Sequence, residues 1–255
     1  VGVLAERATA HRPVARTLLT AAATWAVLGG RSLEREALAV EALLASDLVA
    51  ARRRLTHLVG RRTEELSASE VARAVVESVA ENTSDAVVSS LVWGGLLGVP
   101  GLVGHRAANT LDAMVGHRSP RYERFGWASA RLDDVLNLPG SRLSAALALV
   151  LGDDPQAAWA AWRRDASGHP SPNAGPVEAA FAGALGITLG GTNEYGGTVE
   201  HRPLMGHGRA VQHRDVERAV RLARRVGAGA LVVAATLARR LSHPDRETAR
   251  AAVLA

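Results

Sequence analysis

There is no lysine and no cysteine in this 255-residue sequence, and aromatic residues make up only 4% of it. The first absence excludes a P-loop, which needs a lysine on the nucleotide phosphates, and Schiff-base chemistry, which needs an amine. The second removes thiolate nucleophiles, disulfides and zinc–thiolate sites. With aromatics scarce, Ala, Val and Leu supply most of the 47% hydrophobic content. That balance favours helices over sheets, because Ala and Leu have high helix propensity. The 30 basic side chains are all arginine, set against 25 acidic ones for a formal net charge of +5. They fall in short clusters such as Arg52-Arg53-Arg54 and Arg163-Arg164. No nucleic-acid motif accompanies them and stacking residues are few, so nucleic acid is not an expected partner. Nor does the sequence show a charged leader followed by an apolar run and a small-residue cleavage site, the mark of a secretory signal.

What is present is helical patterning. Residues 15–30 are apolar apart from Arg16 and read as the end of a membrane hairpin or as a buried helix. From Ser32 to Leu58 the residues Leu33, Ala37, Val40, Leu44, Leu48, Ala51 and Leu55 recur at helical spacing among charges, an amphipathic helix. Ser69 before Glu70 reads as a helix start. Residues 86–104 carry no charge and match the roughly 20 residues needed to cross a bilayer. Gly94, Gly95, Gly98, Pro100 and Gly101 argue against one straight helix there. The apolar runs 143–152 and 226–238 are shorter, and Arg224, Arg225, Arg239 and Arg240 bracket the second as snorkelling anchors do. Residues 174–191 are apolar but include Glu178. Pattern alone divides evenly between a polytopic membrane protein and a soluble helical domain. Two segments read as loops: 169–176, where three prolines remove backbone donors, and the glycine-rich 190–197.

Four constellations can carry chemistry. Glu77, Glu81 and Asp85 follow at four-residue steps, so three carboxylates share a helix face with no arginine in the segment. They run directly into the uncharged stretch, where desolvated carboxylates are costly unless they hold a cation, a proton or a polar ligand. Arg106, Asn109 and Asp112 line up a cation, an amide and a carboxylate, suited to a sugar, phosphate or magnesium site, or equally to locking two helices together. Asp133, Asp134 and Asn137 offer the oxygen ligands that hard cations prefer, while Arg131 and Asp134 can instead form a surface ion pair. Trp127 reads as a core residue. The fourth is the pair of loops, with His169, Ser171 and Asn173 in the first and Arg202 after the second as an anchor for an anion.

Seven motifs in one order resemble the CobD/CbiB family: ESVAENTSD from Glu77 to Asp85, RAANTLDAMVG from Arg106 to Gly116, RYERFGWA from Arg121 to Ala128, ARLDD from Ala130 to Asp134, HPSPNAG from His169 to Gly175, EAAFAGALG from Glu178 to Gly186, and LGGTNEYGG from Leu189 to Gly197. The similarity runs from about residue 30 to residue 204. It implies an all-α, polytopic helical membrane protein with polar loops, forming one domain over residues 1–255 in the cell membrane. The family's opening membrane segments have no counterpart in this sequence. Ala86, Ser89-Ser90 and Leu138-Pro139-Gly140 depart from the family pattern.

The implied activity is a late step of cobalamin biosynthesis. An ATP-dependent amide-forming ligase joins a corrin-ring carboxylate of cobyric acid to (R)-1-aminopropan-2-ol or its O-phosphate, with ATP and magnesium as cofactors. The roles this suggests are catalysis by Glu77, Glu81 and Asp85, with Glu77 or Glu81 as base. Substrate and phosphate binding falls to Asn82, Arg106, Asn109, Arg131, His169, Ser171, Asn173, Tyr195 and Arg202. Magnesium falls to Asp112, Asp133, Asp134 and Asn137. Expected partners are the corrinoid, the aminopropanol, the lipid bilayer, other enzymes of the pathway and a second copy of the chain. The competing reading is a membrane scaffold that presents corrinoid intermediates, favoured by the lack of a standard ATP motif. A transporter is disfavoured by the polar loops and the missing inverted repeat.

Overall fold

A computed structural model of the chain describes residues 1–116, 122–195 and 198–241. Arg121 and the Gly196-Gly197 pair of the family motifs lie outside the described residues, as does the side chain of Tyr195. The architecture is mostly helical, as expected, with one addition: a two-stranded antiparallel hairpin stands where the sequence suggested a loop.

Helices α1 (Gly2–Thr9) and α2 (Pro13–Val27) pack as a pair onto α6 (Ser89–Val115). Of the two readings of α2, the buried helix is not realised. Leu18 and Trp25 are exposed and Val27 is its one buried residue. The amphipathic stretch read as one helix is two, α3 (Gly30–Leu44) and α4 (Leu48–Leu55). Asp47 breaks it, because its side chain accepts a hydrogen bond from the Ala50 N–H at 2.9 Å and caps α4. Glu36 then bridges to Arg54 at 2.7 Å, so the continuous apolar stripe is shared by two helices folded against each other.

Helix α5 (Ala68–Thr83) begins one turn-defining serine earlier than Ser69 suggested. Ser67 is the cap, and with Glu70 it forms a capping box: the Glu70 N–H donates to Ser67 Oγ at 3.3 Å and the Ser67 N–H to Glu70 Oε2 at 2.8 Å. Ser69 instead donates its hydroxyl to the Val211 carbonyl at 2.7 Å. A π-turn over Ser84–Val88 joins α5 to α6, giving a 48-residue rod, Ala68–Val115. By length and composition it is the one helix among the described residues able to cross a membrane, and half of its apolar window is buried in the protein. It is not straight. Gly98 takes φ +67°, with Pro100 two residues on. The Glu6 carboxylate of α1 accepts from the Val99 N–H at 3.2 Å, capping the second half of α6 from a distant element.

The short run 143–152 is the end of a 29-residue helix, α7 (Glu123–Leu151). Trp127 on α7 is 63% exposed rather than core, with Arg131 over its ring at 5.9 Å. Helix α8 (Pro155–Asp165) leads through a turn of 3₁₀ helix to α9 (Ala174–Leu185), every residue of which is buried. The first turn of α9 includes Pro176, which the sequence placed in the loop. Proline is harmless there, because the first helical N–H groups have no partner within the helix. Gly186 ends α9 in the left-handed conformation, φ +64°.

Strand β1 (Leu189–Tyr195) pairs with β2 (Thr198–Met205), and the register slips between Leu189 and Gly191. Gly190 and Gly191 make this bulge with φ +88° and +98°, values that only glycine adopts without strain. Helix α10 (Arg214–Leu241) closes the bundle against α5, α6 and α7.

At the start of α10 Asp215 is fully buried, which alone raises its carboxyl pKa. A fork from Arg209 at 2.6 and 2.8 Å, the Gln212 N–H at 2.8 Å and Arg218 at 3.0 Å more than offset that and hold it down at about 2. A depressed carboxyl stabilises the fold fully above its unfolded pKa, and the contribution drains as pH falls toward the folded value. Asp215→Asn is therefore expected to cost about 2–3 kcal/mol at neutral pH and to flatten the acid loss of stability between about pH 4 and 2. Thermal unfolding recorded against pH checks this.

Candidate functional site

A cavity of about 490 Å³ opens beneath the hairpin. It is lined by residues 58–61 after α4, by Glu77, Ser78 and Glu81 on one face of α5, by Glu178 of α9 and by Arg202 of β2. The four-residue spacing of α5 does what it promised, turning Glu77 and Glu81 into one space.

Glu77 sits at the centre and holds three donors. Its Oε2 takes Arg61 Nη2 at 2.6 Å, and its Oε1 takes the Gly190 N–H at 2.9 Å and Arg73 Nη1 at 3.4 Å. Arg61 also donates to the Asn193 side chain and Arg73 to the Gly190 carbonyl. The relief for the carboxylates thus comes from arginines outside the motif, one of them a helical turn earlier. This ion pair is buried on both sides, with Arg61 at 4% and Glu77 at 3% side-chain exposure. Glu77 locks the hairpin bulge to α5.

Glu178 is the opposite case. It is buried, and neither carboxylate oxygen has a hydrogen-bond partner among the described residues. Facing it is His169 Nε2, 3.8 Å from Oε1. His169 Nδ1 lies 3.0 Å from the Ser171 nitrogen and 3.3 Å from its carbonyl oxygen, so the loop backbone holds the ring with Nε2 toward Glu178. Burial pushes the Glu178 pKa well up, and the charges of Glu77 and Glu81 push it further against Arg202 and Arg61. Burial, with Arg202 beside it, lowers the His169 pKa and favours the neutral ring. Glu178 appeared among the family motifs but not among the residues proposed for the site. The available signal was a lone carboxylate in an otherwise apolar helix.

A second polar group adjoins the first. Ser90 Oγ meets His105 Nδ1 at 3.0 Å, and His105 Nε2 meets Asn137 Oδ1 at 3.0 Å. Asn137 Nδ2 donates to Asp133 Oδ2 at 2.8 Å, while Asn109 Nδ2 reaches Asp133 Oδ1 at 3.3 Å. Arg106 donates to Asn109 at 3.5 Å. Ser90, His105 and Asn137 are buried and tie α6 to α7. Sequence reading missed His105, whose single imidazole beside an apolar run carries no spacing signal. Asp85, in the π-turn, stands between the two groups, within electrostatic reach of Glu81, Asp133 and Asp112.

Other candidates serve local structure or lie apart. Asn82 donates to the Ser78 carbonyl at 2.9 Å within its own helix. Ser171 Oγ accepts from the N–H groups of Asn173 and Ala174 at the start of α9. Asn173 ties that start to α7, accepting from Ser141 and Arg142 and donating to the Asp134 carbonyl. Arg131 and Asp134 form the surface pair at 3.9 Å, away from Asp133.

The proposed magnesium quartet does not fit a single ligand shell. Both Asp133 oxygens accept amide protons, Asn137 Oδ1 accepts from His105, and Asp134 faces a different side. Among the described residues no three His, Asp or Glu side chains converge as a metal site.

The fold and site define a helical protein with buried carboxylates, arginines and a histidine gathered under a β-hairpin. This chain belongs to the CobD/CbiB family: the family model for the CobD/Cbib protein matches residues 1–223. The cobalamin biosynthesis protein CobD of Mycobacterium tuberculosis is 53% identical over 223 residues, covering 86% of this chain and 71% of that protein. The protein of the same name from Chromobacterium violaceum is 48% identical, covering 87% and 71%. That from Rhodobacter capsulatus is 44% identical over 212 residues, covering 82% and 67%. No solved structure matches the chain.

Proposed function

We propose that this chain is an enzyme of cobalamin biosynthesis that joins a corrin-ring carboxylate of (adenosyl)cobyric acid to (R)-1-aminopropan-2-ol or its O-phosphate, giving cobinamide or its phosphate. The observation that carries the reading is Glu178, a buried carboxylate with no hydrogen-bond partner, 3.8 Å from a histidine nitrogen and open to a cavity. A carboxylate left so costs stability unless it is protonated or meets a ligand. Its raised pKa suits it to take a proton from an amine.

A free carboxylate is a poor electrophile, so amide formation needs activation. ATP as co-substrate supplies it: the terminal phosphoryl goes to a carboxylate oxygen and ADP leaves. The amine nitrogen then attacks the acyl carbon and phosphate departs. The nitrogen proton passes to Glu178, with His169 Nε2 beside it and Glu81 on the same wall. Glu77, already holding three donors, two of them arginine nitrogens, is kept charged as the partner of a buried ion pair and keeps the pocket's shape. Arg202, 3.4 Å from Glu200 on its own strand, brings a guanidinium to the cavity wall that can meet an anionic group of the substrate.

A membrane location with several spans belongs to the same proposal. Beyond the rod Ala68–Val115, apolar side chains face outward on α2 (Leu18, Trp25), α7 (Leu132, Val135) and α10 (Leu231, Val232). Such outward apolar surface suits lipid, and the buried polar groups face inward.

The test is turnover by purified protein given cobyric acid, ATP, magnesium and aminopropanol phosphate. Formation of cobinamide phosphate by mass spectrometry, with one ADP per product, is the expected result. Corrinoid binding without product would overturn the ligase and leave the scaffold.

A further inference from the structure

His169 stands between Glu178 and a second space. That space is an open cleft of about 710 Å³ lined by Arg142 of α7, Trp159, Trp162 and Arg163 of α8, and the prolines of the His169 loop. That volume lies within the range of small-molecule sites, about 300–1,000 Å³.

The chemistry of the lining is specific. Trp159 and Trp162 meet edge to face, ring centroids 5.8 Å apart at 82°. Trp159 is 48% exposed, and the Arg163 guanidinium lies 5.5 Å from its ring centroid. Two of the few aromatic residues in this chain are therefore spent at one open surface beside cations. The neighbouring Arg164 is neutralised by a fork onto Asp165, both contacts 2.7 Å. Arg163 has no carboxylate within ion-pair distance among the described residues, and Arg142 donates one nitrogen to the neutral Ser141 and Asn173 side chains and likewise meets no carboxylate. Uncompensated guanidinium groups favour phosphate, which they grip bidentately. An exposed indole stacks a flat ring, and every nucleobase offers one.

We propose that this cleft binds a nucleoside polyphosphate, with its base on Trp159 and its phosphates on Arg142 and Arg163. The proposal deepens the ATP-dependent reading above and rests on it for the identity of the nucleotide. It also gives the His169 loop a purpose beyond capping α9. The phosphates lie on the cleft side of an imidazole whose other side meets Glu178, one side chain from the proposed reacting centre.

The test is equilibrium binding of ATP, adenosine and tripolyphosphate to the full chain in detergent, comparing Arg163→Gln, Trp159→Ala and Trp159→Phe. Arg163→Gln is expected to weaken ATP and tripolyphosphate about 10- to 100-fold and to spare adenosine, the scale of a lost charge-assisted hydrogen bond. Trp159→Ala is expected to weaken ATP and adenosine about 5- to 100-fold and to spare tripolyphosphate, the scale of one lost base–aromatic stack. Trp159→Phe, which keeps a flat ring, restores binding. Photolabelling of the wild-type chain with azido-ATP, with label in the peptide spanning residues 155–172, supports the site without any variant. ATP affinity unchanged in both Arg163→Gln and Trp159→Ala overturns the proposal. So does a loss confined to membrane retention, which would make these indoles bilayer anchors. The two readings fail separately. Nucleotide binding that depends on the cleft, without amide product, sinks the ligase; amide product with an unaltered KM for ATP in Arg163→Gln sinks the cleft.

Discussion

Glu178→Gln is expected to lower cobinamide phosphate formation about 10²- to 10⁴-fold, the range contributed by a positioned general base, while leaving the fold intact. Glutamine matches the shape of the side chain inside fully buried α9, so packing is unchanged. It removes a carboxylate that has no hydrogen-bond partner to lose. Melting temperature should therefore hold or rise, because an unpartnered buried carboxylate is a cost to the fold. A purely structural residue would show the reverse pattern, a loss of stability that drags activity with it. The pH profile adds a second readout. Burial and the charges of Glu77 and Glu81 raise the Glu178 pKa. A base must be ionised to accept a proton, so the wild-type rate should climb as pH passes through that elevated value. The variant's residual rate should lack this limb. Wild-type turnover in Glu178→Gln would remove it from the reaction.

That this residue went unassigned shows where sequence pattern stops. The helical class, the break near Gly98 and the joint orientation of Glu77 and Glu81 follow from local composition and the 3.6-residue repeat, and the fold keeps all three. A charge triplet advertises itself. Glu178 and His105 are single polar residues beside apolar runs, and their partners lie far along the chain: His169 in a loop, Asn137 on α7, and Ser90 on the far side of the Gly98 break in α6. Only tertiary packing brings these together. The same limit split the amphipathic stretch at Asp47, where one capping hydrogen bond outweighs a stripe that two helices satisfy as well as one. It also turned a glycine-rich loop into a hairpin, because pairing with β2 is long-range. The helical repeat divides two of the proposed magnesium ligands. Asp133 and Asp134 are neighbours in sequence, but on a helix successive residues point about 100° apart, and here one joins the buried network while the other faces Arg131.

Glu77 makes the sharpest contrast with Glu178, and its removal is expected to show mainly as instability. Glu77→Ala leaves Arg61 buried without its carboxylate, frees the Gly190 N–H and loosens Arg73. Breaking a buried pair by removing one partner costs about 3–5 kcal/mol, because the remaining charge stays desolvated. For a chain of this size that corresponds to a fall in melting temperature on the order of 10 °C. Glu77→Gln should lie between the two, since the amide oxygen can still accept one of the three donors. The double variant Arg61→Met/Glu77→Met should recover much of the loss, since it removes both charges together. If so, Glu77 shapes the cavity by holding the bulge at Gly190 to α5, and the hairpin that carries Arg202 depends on that hold. Thermal melts of these variants, alongside protease cleavage within residues 189–205, decide it. A Glu77→Ala protein that melts like the wild type yet makes no product would instead place Glu77 among the reacting groups.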